Sequence, residues 1–148
     1  MTLEAILAAF HLLAILTFVV FLSSQAALCR IEWLNAAVVE RLARLDVICG
    51  VAGAVMIGSG LARLIWGVKG ASWYLSQPLF HIKITLVLAM VVLSFVPSAA
   101  FRRWRQILRS TGALPPAAEV ARVRRLVMIQ SHVLPVVAVI AVFWARGW

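Results

Sequence analysis

The sequence predicts an all-α, four-helix transmembrane bundle, a single integral membrane domain over residues 1–148 with both termini on the outer, periplasmic side of a bacterial inner membrane. Three observations carry this. The chain is 64% hydrophobic and 13% charged, against roughly 45–50% and roughly 25% in a soluble domain. Apolar stretches cover 3–28, 45–66, 79–101 and 126–145, each reaching the ~20 residues that cross a bilayer core of ~30 Å. Finally, the basic residues gather in alternate connections. Arg30, Arg41, Arg44, Arg102, Arg103, Arg105, Arg109, Arg122, Arg124 and Arg125 share one side, leaving Arg63, Lys69, Lys83 and Arg146 for the other. The positive-inside rule puts the larger group in the cytoplasm. The net charge of +9 is thus read as a topology signal, and nucleic acid is not expected as a partner.

The first span is uncharged between Glu4 and Arg30. Glu4 stands where a cleavable signal peptide would show a basic n-region, so the segment is expected to be retained. It carries His11, an imidazole too costly for hydrocarbon and therefore expected to face protein. Cys29 and Cys49 lack the spacing of a disulfide framework or metal site and read as small buried hydrophobes.

The second span repeats small residues at Gly50, Ala54, Gly58 and Ala62, broadened by Gly53 and Gly60. Such a stripe lets a neighbouring backbone approach closely and predicts the bundle seam. In the outer connection, WGVKGASWYLSQP, Gly67 and Gly70 mark turns, and Trp66, Trp73 and Tyr74 suit an interfacial aromatic belt. Ser76 or Gln77 is placed to cap the third span, with Pro78 in its first turn. Pro97 is expected to bend that span near its inner end.

The inner connection, RRWRQILRSTGALPPAAEVARVRR, reads as basic and amphipathic up to Arg109. It turns at Gly112 and Pro115-Pro116 and becomes helical near Glu119. Its arginines, with Trp104, Ile107 and Leu108, fit an anionic lipid surface. In the fourth span Pro135 frees the carbonyl of Ser131, beside Gln130 and His132.

Within the spans the costly groups are His11, Asp46, Arg63, His81, Lys83, Gln130 and His132. Asp46 is expected to form an ion pair with Arg102, Arg103 or Arg125, and Arg63 to snorkel outward. From the rise per residue, His11 lies roughly 10 Å below the outer surface, His81 roughly 3 Å, Lys83 roughly 6 Å and His132 roughly 20 Å. His11 and Lys83 match best in depth. The alternatives are a cavity that they share inside the bundle, where Glu4, a carbonyl or an anionic group could meet Lys83, or His11 bonded to a neighbouring helix with Lys83 snorkelling to the surface. A b-type haem held by His11 with His81 or His132 is the bis-histidine alternative. No Walker loop, His-Glu-x-x-His, Ser-His-Asp set or paired-cysteine motif occurs in the sequence, which argues against a soluble-type hydrolase or nucleotide enzyme.

Taken together, AAFHLLAI, CRIEWLNAAVVERLARLD, GLARLIWGVKGASWYL, QPLFHIK, RRWR and GALPPAAEVARVRRL resemble the bacterial membrane family called domain of unknown function 2214, over nearly the whole chain. More distantly the chain is similar to HemJ-type protoporphyrinogen oxidases and CopD-like copper-resistance proteins. Those families have a small helical membrane core with a first-helix histidine and, in HemJ, a histidine-x-lysine motif. That likeness implies His11, His81 and Lys83 as site residues. The acidic pattern before a proline in the fourth HemJ helix is replaced here by QSHVLP.

Three functions are therefore expected to compete. One is a haem- or porphyrin-binding membrane protein with its site near the outer leaflet, drawing on His11, Lys83, His81 and His132. Another is a non-catalytic accessory or assembly subunit that meets a membrane-protein partner or a second copy through its glycine seam and basic connection. The third is a CopD-like metal or ion permease, for which no methionine-rich outer motif is present.

Overall fold

The computed structural model describes residues 2–67 and 71–145. It consists of α1 (Thr2–Leu28), a 3-10 turn (Ile31–Trp33), α2 (Ala36–Trp66), the short α3 (Ala71–Leu75), α4 (Pro78–Thr111) and α5 (Ala117–Ala145). Helices α1, α2, α4 and α5 are each long and apolar enough to cross a membrane. The all-α, four-span architecture agrees with the sequence reading. The expected turn at Gly70 and the basic residues Lys69 and Arg146 lie outside the described residues.

Three of the helices overrun their apolar spans at the arginine-rich end. α2 starts at Ala36 rather than Leu45, α4 continues to Thr111 rather than ending at Phe101, and α5 starts at Ala117 rather than Leu126. Each extension adds about 14–15 Å of helix. Local chemistry explains the ends. Asn35 caps α2 by accepting from the Val38 N–H at 3.0 Å, satisfying one of the orphan donors of a helix start. Gly112 ends α4 in the left-handed region at φ 74°, its N–H donating to the Leu108 carbonyl. Gln77 precedes α4 without a side-chain cap bond, and Pro78 opens it. Ser76 turns instead to the carbonyl of Trp73.

The extensions are packed together. Cys29, Val39, Leu42, Phe101, Trp104, Val120, Val123 and Val127 are almost fully buried there. Trp104 is therefore not a lipid-facing residue of an amphipathic loop, as the sequence suggested: it is only 1% exposed and donates its indole N–H to Glu119 at 2.6 Å. The inner connection shrinks to the turn around Gly112 and Pro115-Pro116. Tyr74 is also more buried than a lipid-facing residue. It packs among Trp73, Phe80 and Trp144 at the opposite end, whereas Trp66 is well exposed.

The glycine seam also differs from the expected one. Gly50 and Gly58 are exposed, and a Cβ built on either meets nothing within 4 Å. The close approach belongs to Gly53, 3.4 Å from the Phe18 ring, and Gly60, 3.3 Å from the His11 ring. The reason is register. Along α1 the contacts fall at His11, Phe18 and Gln25; along α2, running the other way, they fall at Gly60, Gly53 and Asp46. Both sets step by heptads, the repeat that keeps one helix face on its partner. A four-residue stripe drifts off that line, so Gly50 and Gly58 end on the outside.

Candidate functional site

The heptad seam brings polar groups across the α1–α2 contact at two levels. In the half nearer the termini, His11 Nδ1 lies 2.8 Å from Ser59 Oγ. The Ser59 hydroxyl donates to the Met56 carbonyl at 3.0 Å, and a hydroxyl has one hydrogen to give. With the hydroxyl proton given to Met56, His11 Nδ1 is the donor to Ser59 Oγ. In the neutral ring this leaves Nε2 with a lone pair, and no side chain among the described residues is hydrogen-bonded to it. Anchoring one imidazole nitrogen so that the other is presented is how proteins prepare a metal ligand or proton acceptor. Gly60 makes the placement possible, since the imidazole lies where a larger side chain would stand.

Two cations share this level. Lys83 and Arg63 are both half-buried, and their charges reach His11, as Arg63's charge also reaches Lys83. The Lys83 ammonium sits over the Trp144 ring, 5.2 Å from its centroid, a cation–π contact. Neither cation has a carboxylate within ion-pair distance among the described residues, where the ion pairs are Arg103–Glu119 and Arg109–Glu40. Glu4 therefore does not neutralise Lys83. The Trp144 Nε1–H is buried without a hydrogen-bond partner. Among the described residues, the end of the bundle thus presents an anchored imidazole, two cations without a carboxylate partner and a donor without an acceptor. Such a set suits an acidic ligand.

The second level lies toward the arginine-rich end. Asp46 accepts from the Ser98 hydroxyl at 2.7 Å and from Gln25 Nε2 at 3.4 Å. The expected ion pair with Arg102, Arg103 or Arg125 does not form. Arg102 instead donates from Nε to the Ser98 carbonyl at 3.2 Å, so it approaches Asp46 through Ser98. Helix geometry explains the change. Arg102 sits one turn beyond Ser98 on α4, where its guanidinium can reach the membrane surface, while the shorter Ser98 side chain turns inward.

The other expected histidines are not brought to His11. His81 is exposed and bonds the Leu75 carbonyl through Nε2 at 2.8 Å. His132 is exposed and bonds the Met128 carbonyl of its own helix at 2.6 Å, about 18 Å of helix below Trp144. Each of these two rings is thus engaged by a nearby carbonyl rather than by His11. Among the described residues, no group of three or more His, Cys, Asp or Glu side chains converges. Cys29 is fully buried, and burial pushes its thiol up to about 11, which fits the inert reading.

Ser59 and Trp144 were not singled out in the sequence. Ser59 had a signal, since it is the one hydroxyl adjoining Gly60 on the face opposite His11. Trp144 reads as an ordinary interfacial aromatic, and only the folded chain brings it over Lys83.

A family model described as "Predicted membrane protein (DUF2214)" matches residues 3–148. No curated protein and no solved structure matches the chain.

Proposed function

Taking the chain as a member of the DUF2214 family of membrane proteins, we propose that it binds an acidic, membrane-soluble ligand at His11, Arg63 and Lys83, with haem or a related porphyrin as the ligand class. The observation that carries this is the pair of half-buried cations with no carboxylate at ion-pair distance among the described residues, beside an imidazole tethered at Nδ1. Burying unneutralised charge is expensive unless a counter-charge arrives. On the positive-inside rule the site belongs to the outer leaflet of a bacterial inner membrane.

The residues suit a porphyrin dicarboxylate in a specific way. Arg63 and Lys83 would hold the propionates, Arg63 with its planar fork and Lys83 as a point charge. The Trp144 N–H would supply a further donor. His11 Nε2 would meet the iron. When bound, haem would supply a redox-active iron. The chain's own part is to present Nε2 in the correct tautomer, neutralise the acid groups and shelter the ligand's ring among apolar side chains.

The test adds haemin, and separately iron-free protoporphyrin, to the purified protein in detergent, reading the Soret band and thermal unfolding. Both should stabilise the protein, and both effects should fall in Lys83→Gln and Arg63→Gln. His11→Ala should lose the iron-dependent Soret shift yet keep stabilisation by the iron-free ring. Failure of either porphyrin to bind would end this reading. A partner co-purifying in mild detergent would then favour the accessory subunit, and transport by liposomes holding this chain alone would favour the permease.

A further inference from the structure

We propose that the cleft between α2 and α4 at the arginine-rich end is a binding site for the headgroup of an anionic phospholipid. The cleft has a volume of about 610 Å³ and is lined by Ala43 and Val47 of α2 with Arg102, Arg105, Gln106 and Arg109 of α4, among others. That volume lies in the ~300–1,000 Å³ range of small-molecule sites.

Charge decides what occupies it. Arg102, Arg105 and Arg109 stand on one face of α4, at the spacing that aligns side chains along a helix. Among the described residues the one carboxylate at ion-pair distance from them is Glu40, committed to Arg109 through two bonds of 2.6 and 3.0 Å, while Asp46 meets Arg102 only by way of Ser98. Arg102 spends its Nε on the Ser98 carbonyl, leaving its terminal nitrogens unbonded among the described residues. Arg105 has no hydrogen bond there. A smaller hollow of about 350 Å³ holds Arg124 and Arg125, but Glu32 lies in its own wall. The α2–α4 cleft is therefore the stronger anion site. Two guanidinium forks are free to grip a phosphodiester.

Depth and polarity select a lipid over a soluble anion. Arg102 is the first charged residue after the apolar span of α4, so the cleft sits where the hydrocarbon ends. Its other wall is apolar. Val47 is 59% exposed, and Val51, one turn deeper on α2, is 60% exposed. A phospholipid presents a phosphate above an acyl chain in this same order. The phosphate meets Arg102 and Arg105 while the chain follows Val47 and Val51.

The experiment is native mass spectrometry of the full chain released from detergent, with added phosphatidylglycerol or phosphatidylcholine. One phosphatidylglycerol should be retained in preference to phosphatidylcholine. Arg105→Gln should weaken retention about fivefold, and Arg102→Gln with Arg105→Gln about 25-fold, on the scale of roughly 1 kcal/mol per basic residue at an anionic surface. Arg122→Gln, an exposed arginine outside the cleft, removes the same charge and should change retention less than twofold. Equal losses in Arg122→Gln and Arg105→Gln would show that net charge alone attracts lipid and would overturn the site. So would indifference between the two lipids, or full competition by millimolar inorganic phosphate. Thermal unfolding run alongside verifies that each variant is folded.

Discussion

His11 Nδ1 and Ser59 Oγ meet at 2.8 Å across the α1–α2 contact, at the same heptad line on which Gln25 reaches Asp46. The line couples packing to chemistry. Gly60 lets the His11 ring lie against α2, and the neighbouring Ser59 tethers it at Nδ1. A backbone approach and a polar tether thus come from adjacent residues.

This predicts a contrast between two glycines. A Cβ at Gly60 already meets His11 at 3.3 Å, whereas one at Gly58 meets nothing within 4 Å. Gly60→Leu should lower thermal stability in detergent by about 1–3 kcal/mol through overpacking. Gly58→Leu should stay within about 0.5 kcal/mol. Equal effects of the two substitutions would refute the heptad seam.

The two glycines also mark what sequence could and could not disclose. Four spans were legible because length and hydropathy alone define a transmembrane helix. The seam was misassigned because small residues at four-residue spacing look like a contact face, and nothing local says which face α1 will choose. The deciding clue was the matched heptads of His11, Phe18 and Gln25 with Asp46, Gly53 and Gly60, a relation between helices rather than within one. His11 and Lys83 stood out as costly in hydrocarbon. The tether at Ser59 and the indole over Lys83 depend on tertiary placement. Trp104 was misread for a related reason: its arginine neighbours suggested a surface, and the extension of α4 and α5 buried it.

Asp46 supplies a second prediction. Its Oδ1 receives the Ser98 hydroxyl and the Gln25 amide, and Gln25 is only 4% exposed. Asp46→Asn keeps an oxygen acceptor and should cost less than about 1 kcal/mol. Asp46→Leu strands both donors and should cost about 2–4 kcal/mol in detergent unfolding, at about 1–3 kcal/mol for each unsatisfied buried group, offset by apolar gain. If leucine were tolerated as well as asparagine, the network would be incidental.

Glu119 and Glu40 separate a buried acceptor from a surface pair. Both carboxylates meet an arginine, and both arginines are largely exposed. Surface pairs of this kind contribute about 0–1 kcal/mol. Glu119 has a further partner, the nearly fully buried Trp104 indole. Glu119→Ala should therefore destabilise by about 1–3 kcal/mol more than the loss of its arginine alone, while Glu119→Gln should largely rescue it. Glu40→Ala should cost no more than about 1 kcal/mol. Chemical denaturation of the three variants checks the order.

The last prediction uses Trp144, where a structural and a ligand role point in different directions. Among the described residues its Nε1–H is buried without a partner, while its ring lies under the Lys83 ammonium. Trp144→Phe keeps an aromatic face for the cation and removes the donor. In the ligand-free protein, relief of an unsatisfied buried N–H, at about 1–3 kcal/mol, should roughly offset the packing lost with the smaller ring, leaving stability within about 1 kcal/mol of wild type. With an acidic ligand bound, the same substitution deletes a charge-assisted hydrogen bond, at about 1.5–3 kcal/mol, so affinity should fall by about 10- to 150-fold. Titration of iron-free protoporphyrin into wild type and Trp144→Phe, read by thermal unfolding, measures both quantities at once. A strongly destabilised apoprotein would make the indole a packing residue. Unchanged ligand stabilisation would show that its N–H faces no acid group, and the ligand would then have to rest on Arg63 and Lys83 without it.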